Sequence, residues 1–140
     1  MKKFFSCILI VSFLFTFSGS VLATSINEKS SSTLSEYNAK LISGNSSGDI
    51  KLIFTASSLT HANSVGISTI RLYKSNGSYV TTIVGTSTNG LLAKNALRHS
   101  GTYTYSGTSK TSYYAVVTFT ATINGVTDTK SFTTNTMKAP

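Results

Sequence analysis

The stretch TSYYAVVTFTATINGVTDTKSFTTN, residues 111–135, decides the fold. Its first half alternates apolar and polar side chains with a period of two, the pattern of a half-buried β-strand. Asn124-Gly125 then interrupts the pattern, and Asn-Gly readily takes the two positive φ angles of a type I′ hairpin turn. The stretch therefore predicts an antiparallel hairpin with one face in the core. The expected inward face consists of Tyr113, Ala115, Val117, Phe119, Ala121 and Ile123.

A second hairpin is predicted upstream, centred on Asn76-Gly77. Residues 65–74 form the strand before this turn and residues 79–86 the strand after it, and we expect the same type I′ geometry. Residues 49–54 alternate apolar and polar side chains and predict a further half-buried strand. Residues 55–64, TASSLTHANS, are polar and are predicted to connect two strands.

The remaining segments carry weaker signals. Residues 34–42 and residues 102–105 are each predicted to hold a short strand. Residues 87–101 have leucines and alanines at partly helical spacing, which predicts either a short helical turn or a long loop over the core. About seven short strands with regular turn signals indicate an all-β chain. We therefore expect a single antiparallel β-sandwich, immunoglobulin-like in style.

The chain begins with MKKFFSCILIVSFLFTFSGSVLA, which has the order of a secretory signal peptide. Lys2 and Lys3 form a charged start, an apolar run follows, and Val21-Leu22-Ala23 makes a small-residue cleavage site. The apolar run is too short for a spanning helix, which needs roughly 20 residues. We therefore expect a secreted, extracellular protein. The expected divisions are a signal peptide at 1–23, a Ser/Asn/Gly-rich and partly disordered lead-in at 24–48, and a β-sandwich domain at 49–140.

Cleavage after Ala23 would remove Cys7, the single cysteine, so the exported chain would have no disulfide to stabilise it. Cleavage would also remove Lys2 and Lys3 and lower the formal net charge from +8 to +6. The remaining basic residues are dispersed, which does not favour a specific nucleic-acid site. A moderate positive charge outside the cell suits cell-wall polymers and surface glycans as partners, or simply keeps the protein soluble.

The sequence offers no constellation for catalysis, for a cofactor or for a metal. His61 and His99 are far apart and lack neighbouring residues that could complete a ligand set. Without a cysteine in the exported chain, and with serines throughout, no nucleophile stands out. We therefore predict that the protein is not an enzyme and uses no cofactor.

Tyrosines are concentrated in two of the predicted strands. Tyrosine combines a flat apolar ring with a hydroxyl group, which suits stacking on sugars and contact with other proteins. We hypothesise a ligand face for a glycan or an anionic polymer, the alternative being that these tyrosines serve core packing and cross-strand pairing. The hypothesised ligand face consists of Tyr103, Tyr105, Tyr114, Arg98, Lys110 and Lys130.

Two stretches cover most of residues 55–136, namely TASSLTHANSVGISTIRLYKSNGSYVTTI and SYYAVVTFTATINGVTDTKSFTTNT. Their motifs are carried by Ala62, Val65, Gly66, Ile67, Ile70, Leu72, Tyr113, Tyr114 and Val116. On these motifs the chain resembles a family of small secreted β-sandwich proteins of Gram-positive bacteria whose function is unknown. Members often carry a tryptophan in the strand after the first hairpin, where this chain has Tyr79. The resemblance implies the sandwich fold and export, and it assigns no functional residue.

These observations favour a secreted, non-catalytic binding or interaction domain, with a cell-wall or surface polymer as the favoured ligand. Two alternatives remain open. One is a cationic membrane-active protein, bacteriocin-like or pore-forming, which would act by contact with a membrane. The other is a self-associating structural surface protein whose sheet edges pair with other copies.

Overall fold

The computed structural model describes residues 33–140 as seven antiparallel β-strands in one hydrogen-bonded sheet. The predicted all-β class and antiparallel pairing are confirmed, whereas the predicted signal peptide lies outside the described residues. The strands are β1 Leu34–Ser43, β2 Asp49–Lys74, β3 Tyr79–Val84, β4 Leu92–Ser106, β5 Ser112–Ile123, β6 Val126–Thr133 and β7 Met137–Lys138.

The sheet is organised around β2, which is 26 residues long and pairs with four other strands. Along one edge β2 pairs with β1 and then with β5, and along the other edge it pairs with β4 and then with β3. The sheet curls so that the inner faces of its two halves pack together, and the ring centroids of Tyr37 on β1 and Phe119 on β5 lie 5.5 Å apart. The strands therefore form one continuous curled sheet, and β2 runs through both of its halves.

The core lies between these inner faces and confirms the face predicted for β5. Tyr113, Val117 and Phe119 are among the largest fully buried side chains of the described residues, and Ile123 at the end of the strand is half-buried. The strand predicted at 34–42 is also confirmed, because β1 contributes buried apolar side chains from within the predicted lead-in. These are Leu34, Ala39 and Leu41.

Two expectations about connections are wrong. Residues 55–64 continue β2 as strand, because β1 supplies backbone partners to residues 55–58 and β4 to residues 55–57, 62 and 64. The first part of β4 occupies residues 92–101, where a helical turn or a loop was predicted. Its backbone is irregular at Asn95, which has a φ of 50°. Short spacing patterns of leucine and alanine fit a helix and an irregular strand equally well, and long-range pairing selects the strand.

The two Asn-Gly turns differ. Asn124 and Gly125 have φ angles of 50° and 81°, which confirms the type I′ turn there. At the other turn only Gly77 has a positive φ, of 86°. Lys74 accepts a hydrogen bond from the Gly77 N–H at 2.9 Å and donates its own N–H to Ser78 O at 2.9 Å. This pattern is a type I turn followed by a bulge at the glycine, so the type I′ prediction is wrong at that site.

The outer edge of β1 is covered by side chains that follow β5. Asn135 accepts a hydrogen bond from the Leu41 N–H at 2.9 Å, and its side-chain amide donates to Leu41 O at 3.0 Å. The Asp128 carboxylate accepts a hydrogen bond from the Leu34 N–H at 3.3 Å. These side chains supply the partners that a further strand would otherwise provide.

Candidate functional site

The structure divides the six residues of the ligand face hypothesised from sequence between different surfaces. Tyr103 and Tyr105 lie on the inner face of β4, opposite the buried Leu52 and Ile50, and both pack against the core. Tyr114 lies on the outer face of β5, because its neighbours along the strand are buried. The sheet therefore separates Tyr114 from the other two tyrosines.

The three basic residues of that face are also apart. Arg98 is exposed on the outer face of the first half of the sheet, where it pairs with Ser57 on β2. Lys110 lies in the connection between β4 and β5, with a φ of 63°. Lys130 is on β6 opposite the buried Phe119, and its ammonium group lies 3.9 Å from the Asp128 carboxylate. The structure does not bring the six residues into one surface.

A different group of tyrosines does come together on the outer face. Tyr73 on β2 lies directly opposite Tyr79 on β3 and directly opposite Tyr114 on β5. The rings of Tyr73 and Tyr114 are stacked, with centroids 5.3 Å apart and an interplanar angle of 13°. The Tyr79 ring meets the Tyr73 ring edge-on at 5.8 Å. These three residues, with Arg71, are called the tyrosine surface below.

The tyrosine surface is open to solvent at one end. Tyr79 is 61% exposed, and its hydroxyl donates a hydrogen bond to Thr82 Oγ1 at 3.0 Å. Arg71 is exposed two residues before Tyr73 and therefore shares its face of the strand. Within residues 33–140 no carboxylate forms an ion pair with Arg71. The surface thus combines stacked aromatic rings with a guanidinium group that is available to an anion.

Hydroxyl groups continue this outer face along β5 and β6. The register places Thr118 opposite Ser131, Thr120 opposite Thr129 and Thr122 opposite Thr127. The hydroxyl oxygens of the last pair are 2.9 Å apart. Residues on one face of a strand repeat roughly every 6.7 Å and neighbouring strands are about 4.8 Å apart, so the hydroxyl groups form two rows. Thr120, in the middle of the β5 row, is buried, and the other members of the rows reach solvent.

Sequence reasoning missed Tyr73 and Tyr79. Both flank the turn at Asn76-Gly77, so counting residues across that predicted hairpin could have placed them on one face. Their contact with Tyr114 depends on the pairing of β2 with β5, which no local pattern indicates.

The histidines and carboxylates stay dispersed. No group of three or more His, Cys, Asp or Glu side chains comes together in the part of the chain that the structure describes. His61 is exposed, whereas His99 Nε2 lies 2.7 Å from Gly90 O and its ring meets Phe54 edge-on at 5.3 Å. The described residues also contain no helix with the length and apolar character that crossing a membrane requires.

Comparison with known proteins gives little information about the function of this chain. No family model matches the chain, and no curated protein matches it. The chain is similar to the crystal structure of a family 76 glycoside hydrolase from a bovine Bacteroides thetaiotaomicron strain, at 16% sequence identity and a TM-score of 0.42. That match covers 74% of this chain and 20% of the hydrolase chain, so this chain spans about a fifth of the length of that protein. The likeness carries no argument about activity.

Proposed function

We propose that this chain is a secreted, non-catalytic binding module that holds a cell-wall or surface polysaccharide against the tyrosine surface. The observation that carries the proposal is the meeting of Tyr73, Tyr79 and Tyr114 from neighbouring strands on one solvent-facing surface. A tyrosine ring packs against the apolar face of a sugar, while its hydroxyl bonds to the hydroxyl groups at the sugar's rim.

Tyr79 is the principal contact in this proposal. The stacked rings of Tyr73 and Tyr114 cover each other in part, whereas Tyr79 is 61% exposed. The edge-on contact with Tyr73 and the hydrogen bond to Thr82 hold the Tyr79 ring in place before any ligand arrives. An aromatic side chain that is already ordered loses little conformational entropy on binding.

Charge favours an anionic polymer. The exported chain would carry a formal net charge of +6, and Arg71 presents a guanidinium group on the same face as the tyrosines. A guanidinium group binds phosphate or carboxylate groups through two parallel hydrogen bonds. Wall polymers that carry such groups beside sugar rings match both features of the surface.

The rows of hydroxyl groups favour a long ligand. Thr118, Thr122, Thr127 and Thr129 lie along the outer face of β5 and β6 and repeat with the strand spacing. A polymer that leaves the tyrosine surface along these strands can exchange hydrogen bonds with several of them. We interpret the scaffold as an immunoglobulin-like sandwich, since antiparallel strands in two packed layers surround one core.

The test is co-sedimentation of the exported chain with isolated bacterial cell walls at low and at high salt. We expect retention that persists at high salt and that falls at least tenfold in Tyr79→Ala. Arg71→Gln should reduce retention mainly at low salt, because screening weakens charge contacts. Leu59→Ala is the matched control, since Leu59 is 63% exposed and lies in the middle of β2, away from the tyrosines.

Equal retention of Tyr79→Ala and Leu59→Ala would show that the tyrosine surface is not the binding site. Retention that disappears in high salt for every variant would mean that the chain is held only by diffuse charge attraction. Absence of retention at both salt concentrations would remove the wall polymer as the ligand.

A further inference from the structure

The edges of the curled sheet are protected unequally. The outer edge of β1 is covered by the side chains of Asn135 and Asp128. The edge strand β6 carries Asp128 and Lys130 on its inner face, and β3 is only six residues long. Charges that point inward and short edge strands are the devices that keep sheets from pairing with each other.

The edge of β4 has none of these devices. This strand is 15 residues long, and among the described residues it pairs with β2 alone. Its pairing with β2 is regular from Arg98 to Ser106, and Arg98 is the one charged residue in this stretch. A long, regular and nearly uncharged edge is a template for a further strand.

The backbone of this stretch presents hydrogen-bonding groups that no other described residue occupies. The Gly107 N–H donates to Gly48 O at 2.9 Å. Because bonding direction alternates along an antiparallel strand, the odd-numbered residues of the stretch bond to β2. The N–H and C=O groups of Ser100, Thr102 and Thr104 therefore point away from β2 and toward solvent.

We propose that β4 pairs in antiparallel orientation with β4 of a second copy of this chain, about a twofold axis at Thr102. The axis passes through the central residue of the regular stretch 98–106, so every residue of that stretch pairs with a residue of the second copy. Each outward-pointing residue then exchanges two backbone hydrogen bonds with its opposite number in the other copy. A twofold contact of this kind closes on itself and ends at the dimer.

Side chains on the outer face of the stretch complement those of a second copy. Pairing about Thr102 places Arg98 opposite Ser106, whose hydroxyl donates to the Asp49 carboxylate at 2.7 Å. The cation of each copy therefore faces the carboxylate of the other, and this charge match selects a second copy over an unrelated extended peptide.

The dimer is independent of the proposed polysaccharide site, since Tyr73, Tyr79 and Tyr114 pair among β2, β3 and β5 and none lies on β4. Pairing through one edge strand buries a small area, which is typical of a weak and reversible dimer. The concentration range of any test must therefore be wide.

Sedimentation velocity of the exported chain, at concentrations up to about 1 mM, tests the proposal. We expect a mass that rises from monomer to dimer and no further. Thr102→Lys places like charges opposite each other at the axis and should weaken dimerisation at least tenfold. Thr129→Lys adds the same charge to an exposed position of β6 and should leave the dimer unchanged.

Cross-linking gives a second readout that does not depend on stability. Thr102→Cys would introduce the single thiol of the exported chain, at the point where two copies meet. We expect a disulfide-linked dimer under mild oxidation, and a much slower reaction for Thr129→Cys. A chain that stays monomeric at every concentration, or equal cross-linking rates for the two variants, would overturn the proposal.

Discussion

The side-chain amide of Asn135 bonds to both backbone groups of Leu41, accepting the N–H at 2.9 Å and donating to the carbonyl oxygen at 3.0 Å. A residue in the segment after β6 thereby takes the place of a strand at the outer edge of β1. This contact links the beginning of the described chain to its end.

Replacing Asn135 by Ala should lower the free energy of unfolding by about 1–2 kcal/mol, because both backbone groups of Leu41 lose their partner. Asn135→Asp should be similarly destabilising, since its carboxylate would face the Leu41 carbonyl oxygen. Urea unfolding measures both changes. Asn45→Ala, which removes an exposed contact with the Lys51 ammonium group, should change stability by less than about 0.5 kcal/mol. Equal effects at positions 135 and 45 would contradict the role given to Asn135.

Gly66 has no room for a side chain. Its φ is 145°, and an added Cβ would lie 2.2 Å from Leu91 O. Gly66→Ala should therefore cost about 3 kcal/mol or more, from the strained backbone and from displacement of the neighbouring segment. Gly125→Ala, with a φ of 81° and no atom within 4 Å of the added Cβ, should cost only about 1 kcal/mol. Thermal unfolding of both variants tests the difference, and a mild effect at Gly66 would mean that the segment at Leu91 can move aside.

Phe119 packs between the two halves of the curled sheet. It is fully buried, and its ring contacts Tyr37 at 5.5 Å and Phe132 at 6.4 Å between centroids. Phe119→Ala should destabilise the protein by about 3–5 kcal/mol through lost burial and the cavity left behind. Phe132→Ala should cost less, because Phe132 is only half-buried. Denaturant titration of both variants measures the difference, and the reverse order would place the centre of the core elsewhere.

The two Asn-Gly turns should respond differently to the same substitution. Asn124→Ala forces alanine into a φ of 50° and should cost about 1 kcal/mol. Asn76 has no positive φ and only accepts a hydrogen bond from the Ser78 N–H at 3.0 Å, so Asn76→Ala should cost no more than about 0.5 kcal/mol. Equilibrium unfolding of the two variants measures both losses of stability. Equal costs would mean that the two turns share one geometry in solution.

The elements that local sequence determines were predictable. The alternation from Tyr113 to Phe119 is visible within one strand, and the turn at Asn124-Gly125 needs only the two residues that form it. Residues 55–64 could not be recognised as strand, because most of their side chains are polar and one of their two pairing partners, β4, follows far along the chain. The length of β2 is therefore a consequence of long-range pairing.

The candidate site was predictable in chemistry but not in position. Tyrosine and arginine were the expected residue types, and the tyrosine surface contains both. Of the residues named from sequence only Tyr114 belongs to it, because Tyr103 and Tyr105 alternate onto the inner face of β4. Choosing Tyr73 as the partner of Tyr114 requires the register of β2 against β5, which depends on the whole core.

The continuity of β2 through both halves of the curled sheet bears on how the chain acquires its structure. Strand β2 pairs with β1, which precedes it, and with β5, which ends only at Ile123. The inner face of the first half of the sheet is covered in part by Ile70 and Leu72 of β2 and by Ile83 of β3. Its cover is complete only when β5 brings in the fully buried Phe119. Such distant pairings make folding slow relative to proteins with local contacts. A chain still emerging from the ribosome therefore lacks its complete native core until β5 has been made.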